Sequence, residues 1–275
     1  MTSSRVTPDA AMHMALKLAE RGAGRVWPNP SVGAVVFRGT RILGRGTTEA
    51  PGGAHAEIVA LRSAERRFGA RALRGASLAV TLEPCCHTGR TGPCVEALIE
   101  AGVAKVFVGC RDTSEQVAGR GLRRLRRAGL EVHTGLMQAQ CRAEHRGFLS
   151  VAERGRPFVT LKLASTLDGR IATASGESRW ITSPAARRFV HQLRARTDAI
   201  AVGSGTALAD DPDLTARRDG RIVHRPIRVL VDSGLRVPAT ARLYRGSAAR
   251  ETWVLCRRDA RGRKSRLQTG ARVLE

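Results

Sequence analysis

Residues 54–110 read AHAEIVALRSAERRFGARALRGASLAVTLEPCCHTGRTGPCVEALIEAGVAKVFVGC. Within this stretch, 54–67 has the pattern of a helix with His55 and Glu57 in its first turn. Ser77–Leu82 is an apolar run bounded like a buried strand, and Glu83-Pro84 ends it. A second helix begins near Pro93 and Cys94 and runs to about Ala101, and Val103–Gly109 is a further strand. Helices alternating with strands predict a layered α/β domain. Working outward, Thr7-Pro8-Asp9 forms a helix start with proline in the first turn. That helix is expected to reach about Arg21 and to bury Met12, Leu16 and Ala19. The stretch from Trp27 to Pro30 breaks the chain. Val32–Phe37 and Ile42–Gly46 read as a hairpin around Arg38-Gly39-Thr40. Downstream, the pattern gives a helix at Leu122–Ala128, a short strand at Leu130–His133 and one connecting helix over 136–150.

Arg154-Gly155-Arg156-Pro157 is the best boundary candidate, dividing the chain into a domain at 1–150 and another at 157–275. A second α/β pattern follows, with strands at 158–164, 198–203, 227–232 and 252–256 and a helix at 184–196. The closing GARVLE, 270–275, reads as a strand begun and not finished, so the second domain is expected to be incomplete at its C-terminal end.

Composition narrows the partners. The 275 residues are 42% hydrophobic, enough to bury a core in each half. The formal charge is +23, from 47 Lys+Arg against 24 Asp+Glu, nearly all the cations being arginine. Such a balance attracts phosphate or nucleic acid. These arginines are scattered along the chain, with local runs only at 120–127 and 257–266. They read as a solvated surface, and nucleic acid is not expected as the partner. MTSSRVTPDA has no apolar secretory segment, and no run approaches the ~18 apolar residues of a membrane span. Six unevenly spaced cysteines, three of them within 85–94, suit metal-bound thiolates in a reducing cytoplasm better than a disulfide scaffold. The sequence leaves the oligomeric state open, a homo-oligomer included.

Two motifs carry chemistry. One is His55-Ala56-Glu57, and the other is Pro84-Cys85 with Cys94 nine residues later. Zinc takes imidazole and thiolate, and a catalytic zinc keeps one position for water. One histidine and two cysteines leave that position free. The metal brings its bound water close to neutral pKa, and a helix N-terminus favours thiolate. Glu57 is placed to carry a proton rather than to ligate. A structural zinc module is a poorer reading, because it would fill the fourth position with protein. Cys110, Cys141 and Cys256 read as packed or partly exposed thiols.

The ordered set resembles the zinc deaminases that act on nucleobases, with an H-x-E and P-C signature. In that register Cys85, directly after Pro84, is preferred to Cys86 as the ligand. The closing spacing narrows the resemblance. PCCHTGRTGPC at 84–94 has eight residues between the two ligands in place of the usual two. With TLEP, PNPSVG at 28–33 and VAGRG at 117–121, it is similar to the deaminase half of the bifunctional riboflavin-biosynthesis deaminase–reductase family. LKLASTLDGRIATASGESRWITS at 161–183 and LADDPDLTAR at 208–217 resemble that family's reductase half. A nucleic-acid deaminase acting on tRNA is the alternative.

The resemblance implies a cytidine-deaminase-like three-layer α/β/α domain followed by a dihydrofolate-reductase-like α/β domain. It implies Zn2+, NADPH and a phosphoribosyl-pyrimidine substrate that loses its 2-amino group before its ribosyl chain is reduced. It assigns Glu57 as catalytic, and His55, Cys85 and Cys94 to the metal. Asn29, His87, Arg90, Lys162, Ser178, Arg194, Leu214 and Arg217 fall on the substrate, and Ala164, Trp180, Thr206, Asp210 and Ser233 on NADPH. No strict G-x-G-x-x-G fingerprint is present; Gly203-Ser204-Gly205-Thr206 is a turn that could approach phosphate. The sequence departs from the family pattern at Thr48, where a histidine is usual, at Asp112-Thr113-Ser114-Glu115 in place of DPNP, and at Gly92 in place of proline. From the unfinished second domain, the chain is expected to deaminate and to reduce poorly or not at all.

Overall fold

The computed structural model describes residues 6–88, 92–245, 251–261 and 267–274. The chain divides into two compact units, one up to Leu161 and one from Lys162.

The first unit is a five-stranded sheet between two helical layers. Helix α1 (Pro8–Gly22) starts where the Thr7 hydroxyl accepts the Ala10 N–H at 3.1 Å, with Pro8 supplying a preset φ. Strands β1 (Gly33–Arg38) and β2 (Arg41–Thr47) form the expected hairpin. Helix α2 (Ala56–Phe68) leads to β3 (Ser77–Leu82), α3 (Cys94–Glu100), β4 (Lys105–Cys110), α4 (Arg120–Arg127) and β5 (Glu131–Thr134). The strand order is β2-β1-β3-β4-β5. Strand β1 runs antiparallel to β2 and β3, whereas β3, β4 and β5 are mutually parallel.

Glycines let the helices lie directly on the sheet. A Cβ on Gly46 would stand 2.1 Å from the Ala56 carbonyl oxygen, and one on Gly44 would stand 2.1 Å from that of Ala60, both on α2. A Cβ on Gly33 would stand 1.9 Å from the Ala15 carbonyl oxygen on α1. Ala34 pairs with Gly46, so Gly33, its neighbour, faces the opposite side. Helices α1 and α2 therefore cover opposite faces. Helices α3 and α4 extend the α2 side and are tied to each other by Arg124–Glu96 at 2.8 Å. The core between the layers is aliphatic, with Met12, Leu78, Val80, Leu98, Val106 and Leu125 fully buried.

The single connecting helix expected over 136–150 is two, α5 (Gln138–Glu144) and α6 (Arg146–Arg154), parted at His145. The break turns the His145 ring inward, where only 2% of the residue is exposed, and sets Nε2 3.0 Å from the Thr81 hydroxyl on β3. That hydroxyl also accepts the Gly33 N–H at 3.1 Å. Helix α5 lies on the α1 side, with Cys141 Sγ 3.8 Å from Met12 Sδ.

The second unit holds α7 (Pro184–Arg194), β6 (Ala199–Gly203), α8 (Ser204–Asp210), a hairpin of β7 (Ala216–Arg218) and β8 (Arg221–His224), then β9 (Ile227–Val231), β10 (Thr252–Leu255) and β11 (Arg272–Leu274). Its parallel sheet has the order β11-β10-β9-β6 over a small core of Leu230, Leu243, Tyr244 and Val254. The expected strand at 158–164 is not formed, and Val159, Leu161 and Leu163 are 80%, 79% and 71% exposed. Alternating apolar residues favour a strand, but a strand exists only where a neighbour supplies hydrogen bonds. No described strand runs beside this one. Helix α8 and the β7–β8 hairpin had no counterpart in the sequence reading.

Candidate active site

Three local structures converge on one point. His55 is the N-cap residue of α2, with extended backbone (φ −71°, ψ 158°), so its side chain leaves the helix axis. Cys85 lies three residues past the end of β3, where Pro84 stops the strand. Cys94 is the first residue of α3. His55 Nδ1 stands 3.4 Å from Cys85 Sγ and 3.3 Å from Cys94 Sγ, and the three donor atoms lie within 4.8 Å of one another. Zinc bonds of about 2.3 Å to sulfur and 2.0 Å to nitrogen require donor separations of roughly 3.5 Å, so this set fits a tetrahedral ion. Among the described residues it is the one such cluster of His, Cys, Asp and Glu.

The sequence reading placed both thiolates at helix starts, and the structure refines this. Only Cys94 is helical; Cys85 gains from the same terminus by accepting the Cys94 N–H at 3.4 Å. The Cys94 thiol holds Cys85 well below the ordinary thiol range by donating to it, and pushes its own titration far up. His55 is raised, first by its hydrogen bond with Cys85. Cys86 points elsewhere: its Sγ lies 3.8 Å from the Gln116 carbonyl oxygen.

Glu57 lies in the first turn of α2 and is 4% exposed. Burial, then the negative charge of Cys85, push its carboxyl up to about 7. A carboxyl poised near neutrality beside a metal-donor set can accept a proton and return it.

The remaining sequence-derived positions fall as follows. Asn29 is half-buried in the loop before β1, its N–H on the Val26 carbonyl. His87 is half-buried two residues past Cys85, near the buried Asp112. Arg90 lies outside the described residues. Thr48 is buried and its hydroxyl accepts the Val32 N–H at 3.0 Å, a structural contact at the position of the expected histidine.

In the second unit, Lys162 and Ser178 are exposed and Ala164 half-exposed on a stretch without helix or strand. Arg194 ends α7 and donates to the Thr215 carbonyl at 3.4 Å. Arg217, on β7, reaches the Thr215 hydroxyl at 3.2 Å and Asp213 at 2.5 Å. The two guanidinium groups are near neighbours: burial first, then Arg217, lowers the Arg194 pKa. Leu214 is buried between them in sequence, with φ +54°. Trp180 is 70% exposed, with the Arg187 guanidinium 4.3 Å from its ring centre. Asp210, at the end of α8, pairs with Arg179 at 3.5 Å. Thr206 is exposed on α8, and Ser233 is exposed, its carbonyl accepting the Arg257 N–H at 3.1 Å. Sequence reading did not single out Arg225, Arg242 and Arg245. With Arg217, Arg228 and Asp213 they line an open cavity of about 320 Å³. They come from separate parts of the chain, after β8 and around residues 242–245, and no local motif announces their meeting.

The fold and the site together define a zinc-dependent deaminase of the cytidine-deaminase type joined to a second α/β domain. Comparison with known proteins agrees at both ends of the chain. Residues 6–110 match the family described as the cytidine and deoxycytidylate deaminase zinc-binding region, and 157–274 match the RibD C-terminal domain. The RibD protein of Escherichia coli K12 is 47% identical over 253 residues, covering 88% of this chain and 67% of the relative. That of Synechocystis is 41% identical over 273 residues, covering 98% and 72%. Among solved structures, Acinetobacter baumannii RibD superposes with a TM-score of 0.86 at 40% identity, covering 98% of this chain and 73% of that one. The Thermotoga maritima deaminase/reductase superposes at 0.85 with 39% identity, covering 97% and 73%. The chain belongs to the RibD family, the bifunctional deaminase–reductases of riboflavin biosynthesis. It spans roughly two thirds to three quarters of the length of these relatives.

Proposed function

We propose that the first domain, 1–150, hydrolytically deaminates 2,5-diamino-6-(5-phosphoribosylamino)pyrimidin-4-one, and that the second, 157–275, is built to reduce the ribosyl chain with NADPH. The convergence of His55, Cys85 and Cys94 beside the buried Glu57 carries the deaminase reading. When bound there, zinc would supply a water acidic enough to give up a proton to a carboxylate near neutral pH. Glu57 takes that water's proton as the oxygen adds to the ring carbon bearing the 2-amino group, and returns it to the nitrogen as the carbon–nitrogen bond breaks and ammonia leaves. Burial supports this role by keeping the carboxyl from being a permanent anion. Asn29, His87 and Arg90 are assigned to the pyrimidine ribotide.

Lys162, Ser178, Arg194, Leu214 and Arg217 are assigned to the reductase substrate. Two guanidinium forks side by side at Arg194 and Arg217 suit a sugar phosphate. Ala164, Trp180, Thr206, Asp210 and Ser233 are assigned to NADPH. No helix among the described residues is long and apolar enough to cross a membrane, and all six cysteines are free thiols, which supports action in the cytoplasm on a small molecule. The nucleic-acid deaminase reading is not favoured.

Incubation of the chain with the ribotide, with and without NADPH, tests the assignment. Ammonia and the aminouracil ribotide are expected without NADPH. Glu57→Gln should retain zinc and lose turnover by at least about a hundredfold, the scale of general acid–base catalysis. Absence of ammonia release by the zinc-loaded chain overturns the reading.

A further inference from the structure

Glu83 is 3% exposed, and among the described residues its carboxylate forms no ion pair and is outside the metal-donor cluster. Instead it accepts three backbone N–H groups. Oε2 takes those of Asp112 at 3.3 Å and Gly119 at 3.2 Å, and Oε1 takes that of Leu122 at 3.2 Å. These donors bracket the loop from the end of β4 to the first turn of α4. Gly121 presses the same junction: a Cβ there would stand 2.2 Å from the Pro84 carbonyl oxygen and 3.2 Å from Glu83 Oε1.

The bracketed loop lies against the cysteine loop. Asp112 is buried with its carboxylate near Cys85 and His87, and fixes its own turn by accepting the Ser114 N–H at 2.7 Å. The Gln116 carbonyl faces Cys86. Glu83 sits two residues before Cys85, so one short segment carries both a metal donor and the anchor of the opposite wall.

We propose that Glu83 is a positioning residue. By holding both ends of the 112–122 loop, it sets the distance between the Asp112–Gln116 wall and the Cys85–His87 loop, and so sets affinity for the heterocyclic substrate rather than turnover. The proposal rests on the deaminase reading above. It also accounts for the departure at Thr113-Ser114-Glu115. Those side chains vary between anchors that are backbone N–H groups, which any residue other than proline can supply.

Glu83→Gln offers one carbonyl oxygen to three donors and turns its amide towards at least one of them. Gly121→Ala leaves Glu83 in place and wedges α4 away from it, while favouring helix by propensity. Both variants should raise KM for the ribotide about tenfold or more with kcat within about threefold, as a buried donor left unmet implies. Zinc should stay at one per chain. The cobalt-substituted proteins should keep the thiolate-to-metal absorption of the parent, a signature that general unfolding would erase. Amide hydrogen exchange at 112–122 should quicken about tenfold or more while α1 and β3 keep their protection. Unchanged KM in both variants, or losses that track zinc content, would overturn the proposal. If the parent chain does not turn over the ribotide, the substrate reading fails. Exchange then decides the positioning role alone: quickening at 112–122 supports it, and unchanged exchange overturns it.

Discussion

At the residue scale, adjacent cysteines face different neighbours. Cys85 Sγ shares a point with His55 and Cys94, whereas Cys86 Sγ looks towards the Gln116 carbonyl. Cys85→Ala should therefore release zinc and abolish deamination, and Cys86→Ala should keep the metal; metal analysis of the two purified proteins decides, and the reverse result would reassign the ligand. His145 makes a different prediction. Its enclosure lowers its pKa to about 4, from an unfolded value near 6.5. The unfolded chain then binds a proton that the folded chain refuses. Stability from this residue is complete above about pH 6.5 and is lost as pH falls towards 4, by up to roughly 3 kcal/mol on the linkage scale. Urea unfolding followed in the deaminase unit at pH 7 and pH 5 should show that loss, and His145→Asn should flatten the slope. An equal slope in the variant would mean that other groups carry the acid sensitivity.

At the scale of elements, α2 is positioned by what β2 lacks. Gly46→Ala brings a methyl to within 2.1 Å of the Ala56 carbonyl oxygen, so backbone must move. Overpacking of this kind costs about 1–3 kcal/mol, and here it lifts the helix that carries Glu57 and begins at His55. Zinc affinity and kcat should both fall, with the thermal midpoint several degrees lower; a variant with full activity would show that α2 can slide without harm. The sequence reading was accurate where short-range signals decide. Thr7-Pro8 fixed a helix start, the alternation from Val32 to Gly46 fixed a hairpin, and Ser77–Leu82 was located to the residue. The cluster of His55, Cys85 and Cys94 was legible because two of its members stand at helix starts and the third follows a strand-ending proline. Periodicity misled at 158–164, since alternation says which faces are apolar and nothing about which strand lies alongside. The β7–β8 hairpin was missed because Arg-Arg-Asp-Gly-Arg reads as a solvated charge run, although Asp219-Gly220 is a turn pair, with φ +50° and +76°. Glu83 was read only as a strand stop, because its three partners lie 29 to 39 positions away.

At the scale of the whole chain, each unit has its own core, and residues 155–183 form neither helix nor strand. Arg156, Lys162, Arg170 and Arg179 are all exposed on backbone without helix or strand. Trypsin at limiting dose should cut there first and leave a fragment close to residues 1–155 that retains zinc and deaminates; mass spectrometry of the first products checks this. First cuts inside α1, α2 or α3 would contradict it.

The donor set has one more consequence, in the fate of the protein rather than its chemistry. His55 and Cys85 are 30 positions apart and Cys94 is nine further on, so a single ion held by all three would close two loops of chain. An ion that binds only the folded form adds stability in step with the logarithm of its free concentration, about 1.4 kcal/mol for each tenfold rise above its dissociation constant. Metal supply should thereby set lifetime: in zinc-starved medium the newly made chain should spend longer open to proteolysis, and its abundance should fall with its activity.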